Sequence, residues 1–487
     1  MAAVGFVGYH AAVFFPTWAD ESVHAYVASR VAQGAVLYRD VHSARPPLAL
    51  MPLAALMAAK LPALLASRLA VIAAGLAIAL CLAAAGTKLF GSAEGFAAAG
   101  LFLLAPETAA RFAFTGIHFV ALGSTGCAAL ALLDAPALAG LAGGLALGAG
   151  QHAAVIVGAS GLWILHRSRR GAAAFGLSAL ATLALIYGGA AALGGQEMAR
   201  DLVGRHLYHL GASSPADDGE LRWFLPTTAL ENLVLVALAA TALARRPAPA
   251  ASGCSSAFAI RAALAALIGA HVAAVALMKG GLVLYLFPAL PLIALLAGDG
   301  AVRVARAVRS GPSRALGAAI ALAIAASSAA GLWASRERYQ QRDAHPYPAL
   351  PHARHIAMAR LQKLAIVEAI ARVVEAESSP EETVFGFPTL VAQIALAANR
   401  RVAGELADLA PRWIQLGTVT RQSVVGAIEA DRIRFFITPR WFYFKDPYFK
   451  TYLSRCYDPP RVFPRPQGDG GGIPDVLVYR RREDACR

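Results

Sequence analysis

The chain has 487 residues, enough for two or three domains, yet 57% of them are apolar and only 15% are charged. Soluble domains carry roughly 25% charged residues, so this composition, with a mean hydropathy of +0.54, excludes an ordinary soluble enzyme and indicates a membrane protein. The formal charge of +14 lies largely in short arginine clusters between apolar runs (166–170, 244–246 and 303–314), the pattern of cytoplasmic loops, and no basic face interleaved with aromatics suggests nucleic acid.

Apolar runs of helix-forming composition fall at 1–16, 47–65, 68–86, 96–113, 118–133, 137–165, 172–193, 227–243, 259–278, 282–298 and 315–334. Most approach the roughly 20 residues that cross a bilayer. The first has no basic flank or cleavage site and reads as a span, not a signal peptide; it is short, which leaves the true start open. The run 47–65 begins at Pro46-Pro47, contains Lys60 and Pro62, and is expected along the outer surface. Residues 138–165 would make a helix of about 42 Å, too long for a 30 Å core, and a break is expected at Gly148-Ala149-Gly150-Gln151-His152. With that break and an inside N-terminus, Lys88 and the arginine clusters all fall inside. The polar loops 17–46 and 194–226, and the tail from Ser335 onward, fall outside.

From Ser335 charges, prolines and aromatics rise. A helical run at 356–377 precedes strand-like segments beginning at Thr383, Ile433 and Asp475. The expected fold class is therefore a polytopic α-helical membrane domain, 1–334, with a C-terminal extracytoplasmic α/β domain, 335–487. Of the five cysteines, Cys81 and Cys127 lie in apolar runs. Cys456 and Cys486 lie in the tail and are able to pair in an oxidising compartment.

The first outer loop holds the most chemistry. Asp20-Glu21 follow the first run, a helix ends at Gly34, Tyr38-Arg39-Asp40 follows, and Arg45 stands before Pro46-Pro47. From the residues alone, Asp20 reads first as the N-cap of a helix over 22–33. The order of these features resembles the polyprenyl-phosphate-dependent glycosyltransferases of the GT-C fold, and above all the protein O-mannosyltransferases and the aminoarabinose transferases of lipid A. Weaker likenesses continue downstream in Leu89-Phe90-Gly91, in the Gly-rich segment 144–151, and in Tyr285-Leu286-Phe287-Pro288 with the second proline Pro291.

The resemblance implies a GT-C-like fold with about 10–12 membrane helices and transfer of a sugar from a polyprenyl-phosphate-linked donor. Asp20 would be the general base, supported by Glu21; Arg45 would bind the lipid phosphate, with Lys279 and Tyr285 as further candidates. These families place a second acid in the next outer turn, where this chain has Gly116 or His118, with Glu107 upstream. Gln151 and His152, at the expected break, are candidates for lining a cavity.

His206/His209 and His352/His355 have i, i+3 spacing but lack further metal ligands, and Asp217-Asp218 reads as a polar turn. No cofactor is assigned and a divalent metal is left open. The implied partners are the lipid bilayer, the lipid-linked donor and an acceptor that is a protein, lipid A, a glycan or a wall polymer. The implied location is the bacterial inner membrane, with the site on the periplasmic face. The alternatives are a catalytically inactive lipid-binding relative and, with neither internal repeats nor many ionisable groups within spans to support it, a transporter.

Overall fold

The structure is a computed structural model, described for residues 2–12, 19–110, 113–199, 201–202, 232–244, 254–277, 283–309, 364–409, 414, 419–440, 446–464 and 475–482. Lys279, Cys486, the histidine pairs, Asp217-Asp218 and the run 315–334 lie outside the described residues. The chain opens with α1 (Ala2–Ala12), α2 (Ala19–Ala32), α3 (Pro47–Ala58), α4 (Ala63–Leu89), α5 (Ser92–Leu104) and α6 (Pro106–Ala110). Next come α7 (Ile117–Leu132), α8 (Pro136–Ala149), α9 (Ala154–Arg167) and α10 (Arg169–Ala199). The membrane part continues with α11 (Leu233–Ala244), α12 (Cys254–Leu277) and α13 (Leu290–Arg309).

Alanine and leucine, the best helix formers, dominate these segments, and prolines sit at the first helical position of α3 and α8, where a missing N–H costs nothing. Among the described residues, four helical stretches are long and apolar enough to cross a membrane: Ala63–Leu89, Arg169–Ala199, Ala257–Leu277 and Leu284–Val308. Shorter apolar helices, α5, α7, α8 and α11 among them, pack around them. With 12 residues, α3 is shorter than the roughly 20 that cross a bilayer. The run 138–165 is broken where expected: α8 stops at Ala149, Gln151–Ala153 forms a 3₁₀ turn, and α9 begins at Ala154.

Helices approach closely through glycine. A Cβ on Gly86 of α4 would stand 2.6 Å from the Gly95 Cα of α5, so the two backbones touch there. Far along the chain, buried acids fix α13. Asp299 accepts from Arg261 at 2.7 Å and from Arg303 at 2.9 Å, and Glu94 of α5 accepts from Arg306 at 2.7 Å.

The C-terminal unit contains α14 (Leu364–Glu377), β1 (Thr383–Gly386), α15 (Pro388–Ala397), β2 (Arg401–Val402), α16 (Arg421–Ala430), β3 (Phe435–Pro439), α17 (Pro447–Cys456), β4 (Arg461–Phe463) and β5 (Val476–Arg480). The sheet order is β2-β1-β3-β5-β4, with β1 parallel to β2 and β3, and β5 antiparallel to β3 and β4. The three strands expected from sequence are the central ones, β1, β3 and β5, whose residues are mostly buried; the edge strands β2 and β4 have only two and three residues. Cys456 is disulfide-bonded.

The two parts share one core. Val23, Tyr26 and Val27 of α2 pack with Ile366 and Ile370 of α14, Leu390 and Val391 of α15, and Val402. The seam is also hydrogen-bonded: Ser22 Oγ donates to the Thr389 carbonyl at 2.7 Å, and the Val402 N–H donates to the Tyr26 hydroxyl at 2.7 Å.

Candidate functional site

The site is built on α2 and the turn that follows it. α2 begins at Ala19, so Asp20 stands inside its first turn and does not cap a helix starting at Ser22. The early start places a carboxylate in the positive field of a helix N-terminus. Helical spacing then sends successive side chains to different surroundings. Asp20 points outward, with 55% of its side chain exposed, and lies 3.7 Å from the Arg45 guanidinium. Glu21 points inward and is fully buried.

Glu21 is held tightly. Arg68 of α4 donates to both its oxygens, at 2.5 and 3.3 Å, and the Phe114 N–H donates to Oε1 at 2.9 Å. A buried carboxylate needs such partners, and these knit α2, α4 and the approach to α7 into one corner. His24, one turn along from Asp20, has its ring Nδ1 3.2 Å from the Phe114 carbonyl, which makes Nδ1–H the donor. Burial lowers its pKa to about 4; the Arg45 charge adds to the shift, while Asp20, Asp408 and the Phe114 carbonyl oppose it. His24 is neutral at physiological pH.

Arg45 sits in a turn tied from several sides. The Tyr38 hydroxyl donates to its carbonyl at 2.7 Å, and its own N–H donates to Ser43 Oγ at 3.1 Å. Asp408, from the C-terminal unit, accepts from the Ala44 N–H at 2.8 Å. Beside the turn, His42 pairs with Asp201, both buried. Burial acts to lower the Arg45 pKa, but Asp20, Tyr285 and Asp408 outweigh it and the net shift is upward. With 28% of its side chain exposed, Arg45 is a permanent cation with an open face.

Tyr285 therefore lies within electrostatic reach of Arg45. Its ring stacks on His152 with centroids 3.8 Å apart and planes 21° from parallel. The helix break thus delivers His152 to the site's edge, and Gln151 beside it is exposed. His118 is elsewhere: it is buried in the bundle, edge-on to Phe287 at 5.3 Å and within electrostatic reach of His10. Glu107 is buried on the short α6. Gly116, where the resemblance led us to expect an acid, has φ 79, and a Cβ there would stand 2.9 Å from the Ala49 Cβ. Among the described residues no group of three His, Cys, Asp or Glu side chains is arranged to hold a metal.

Sequence reading missed Arg68, His24, His42, Asp201 and Asp408. Arg68 carried a signal, a charge at the head of an apolar run; Asp408 carried none, because its role depends on a contact 364 residues away.

No protein-family model matches the chain, and no curated protein matches it by sequence. Solved structures do match in shape. ArnT from Cupriavidus metallidurans bound to undecaprenyl phosphate superposes with a TM-score of 0.65 at 15% identity, over 98% of this chain and 97% of that one. The archaeal oligosaccharyltransferase AglB from Archaeoglobus fulgidus, in complex with an inhibitory peptide and a dolichol-phosphate, gives 0.50 at 10% identity, over 99% and 74%. The chain has the GT-C fold. The apo form of the Archaeoglobus fulgidus oligosaccharyltransferase gives 0.51 at 11% identity, over 98% of this chain and 76% of that one. The superposition with ArnT spans 98% of this chain and so takes in the C-terminal unit as well as the helices.

Proposed function

We propose that the protein is a membrane glycosyltransferase that moves a sugar from a polyprenyl-phosphate-linked donor to an extracytoplasmic acceptor. The observation that carries this reading is the Asp20–Arg45 pair, a part-exposed carboxylate beside a fixed guanidinium, set in the fold of an ArnT crystallised with undecaprenyl phosphate. Arg45 binds the donor phosphate, and Tyr285 flanks it. The acceptor oxygen or nitrogen attacks the anomeric carbon, and the bond from that carbon to the phosphate oxygen breaks with its electron pair left on phosphate. The acceptor's proton passes to Asp20. A phosphate on Arg45 draws that guanidinium away from Asp20, so donor binding frees the base as it supplies the leaving group. Glu21 acts from behind, holding α2 through Arg68.

The domains divide as 1–334, helical and in the membrane, and 335–487, α/β and outside. The disulfide at Cys456 supports an oxidising compartment for the second, and the arginine clusters support a cytoplasmic location for the opposite loops. In a bacterial cell these features support a site on the periplasmic face of the inner membrane.

The test is transfer of radiolabelled sugar from synthetic polyprenyl-phosphate donors in proteoliposomes. Asp20→Asn is expected to lower turnover by about 10²–10⁴, the range of a general base. Arg45→Ala is expected to lower kcat/KM by about 10–100-fold, from lost charge-assisted hydrogen bonds. Full activity in Asp20→Asn would remove the base assignment. A second reading, a lipid-binding relative without chemistry, draws on Gly116, where the resemblance leads us to expect an acid and where a φ of 79 and a Cβ position 2.9 Å from the Ala49 Cβ disfavour any side chain. Donor binding with no turnover across a broad donor panel would select it.

A further inference from the structure

The turn that carries Arg45 is not secured by the membrane helices alone. Asp408 follows the short β2 strand in the C-terminal unit, and its Oδ2 accepts from the Ala44 N–H at 2.8 Å and lies 3.5 Å from Ser43 Oγ. Ser43 is fully buried and its Oγ in turn accepts from the Arg45 N–H at 3.1 Å. The chain of contacts thus runs Asp408, Ser43, Arg45 and ends on the backbone of the residue whose side chain presents the cation. Two backbone N–H groups in succession are anchored, one directly and one through a hydroxyl. Without Asp408 the Ala44 N–H loses its partner and the Ser43 hydroxyl loses the group that orients it.

We propose that Asp408 is a positioning residue for the donor site: it clamps the 43–45 turn from the C-terminal unit and fixes where Arg45 meets the lipid phosphate. This rests on the reading of Arg45 as the phosphate ligand, and it adds that the C-terminal unit is part of the donor site as well as a cover. The contact is local and charge-assisted, and its loss moves a side chain that must meet a phosphate within hydrogen-bond distance. Asp408 also faces Arg45 and His24 electrostatically, so loss of the hydrogen bond and loss of the charge must be separated.

The experiment uses the full-length protein in detergent with three readouts. Hydrogen exchange of the peptide containing Ala44 and Arg45 reports the clamp. The affinity for undecaprenyl phosphate and the KM and kcat of sugar transfer report the site. Asp408→Ala is expected to speed exchange in that peptide and to weaken undecaprenyl phosphate binding about tenfold, with KM raised more than kcat is lowered. Asp408→Asn keeps an acceptor oxygen for the Ala44 N–H and is expected to stay within about threefold of wild type. Mere loss of folded protein would lower kcat and leave KM unchanged. If Asp408→Ala does not fold, Ser43→Ala probes the same chain of contacts and is expected to weaken binding in the same sense.

Unchanged exchange and unchanged affinity in Asp408→Ala would overturn the proposal. So would an Asp408→Asn variant as impaired as Asp408→Ala, since the charge would then be the cause. If the wild-type protein binds no undecaprenyl phosphate, the functional reading fails; the exchange measurement still decides whether Asp408 holds the turn.

Discussion

Asp20 and Glu21 are neighbours in sequence with opposite situations, and their difference is testable. Arg68 and Glu21 form a buried pair, 2% and 0% exposed, and breaking such a pair by removing one partner costs about 3–5 kcal/mol. Arg68→Met is therefore expected to lower stability by that order in a thermal or denaturant melt, and the double variant Arg68→Met/Glu21→Gln is expected to regain part of it. His24 supplies a pH dependence. Its folded pKa of about 4 lies below the ordinary 6.5, so above pH 6.5 it contributes no pH dependence. As pH falls below 6.5 the unfolded chain takes up a proton that the folded chain refuses. Stability then declines until about pH 4, by roughly 3 kcal/mol in all. His24→Asn keeps a donor for the Phe114 carbonyl without the titration. Its stability should therefore fall less steeply than the wild type's between pH 7 and pH 4; parallel profiles would refute the assignment.

Elements differ in how much of their role the sequence carries. Asp20, Arg45 and Tyr285 were legible because they lie beside Pro, Gly or span boundaries that keep a recognisable order. The break at Gly150 was legible because a 28-residue apolar run exceeds the bilayer, and breaking it is what brings His152 against Tyr285. The start of α2 was misjudged by three residues, since alanine at position 19 extends a helix without announcing it. The edge strands β2 and β4 escaped notice because two or three residues cannot show alternation. The approach to α7 yields its own expectation. Gly116 has a positive φ and faces Ala49 of α3, so restoring an acid there with Gly116→Asp adds strain and a clash. It is expected to destabilise the protein by about 1–3 kcal/mol and to give no gain in transfer, read by melting and by the proteoliposome assay. A gain in turnover would show that the turn can yield.

For the molecule as a whole, the seam along α2 decides whether the two parts are separable. Composition alone marks a change near Ser335 and invites a picture of a detachable outer domain. The packing of α2 argues otherwise, and nothing in the sequence could reveal it, because Val23, Tyr26 and Val27 meet partners more than 330 residues away. Tyr26 is 4% exposed and accepts the Val402 N–H, so removal of the C-terminal unit would open a face of α2 built for burial, at roughly 25 cal/mol for each Å² of apolar surface returned to water. Asp408 would leave with it, and the Arg45 turn would lose its clamp. A chain ending at residue 363 is therefore expected to be polydisperse in size-exclusion chromatography and to melt well below the intact protein. Tyr26→Phe tests the seam more gently: it strips the Val402 N–H of its acceptor at a cost of about 1–3 kcal/mol while keeping the ring in place. If the truncated chain were monodisperse and melted like the intact protein, the shared core would be a contact of convenience and the C-terminal unit a true appendage. If it collapses while Tyr26→Phe is only weakened, α2 is the element on which the membrane helices, the sheet and the candidate site all depend.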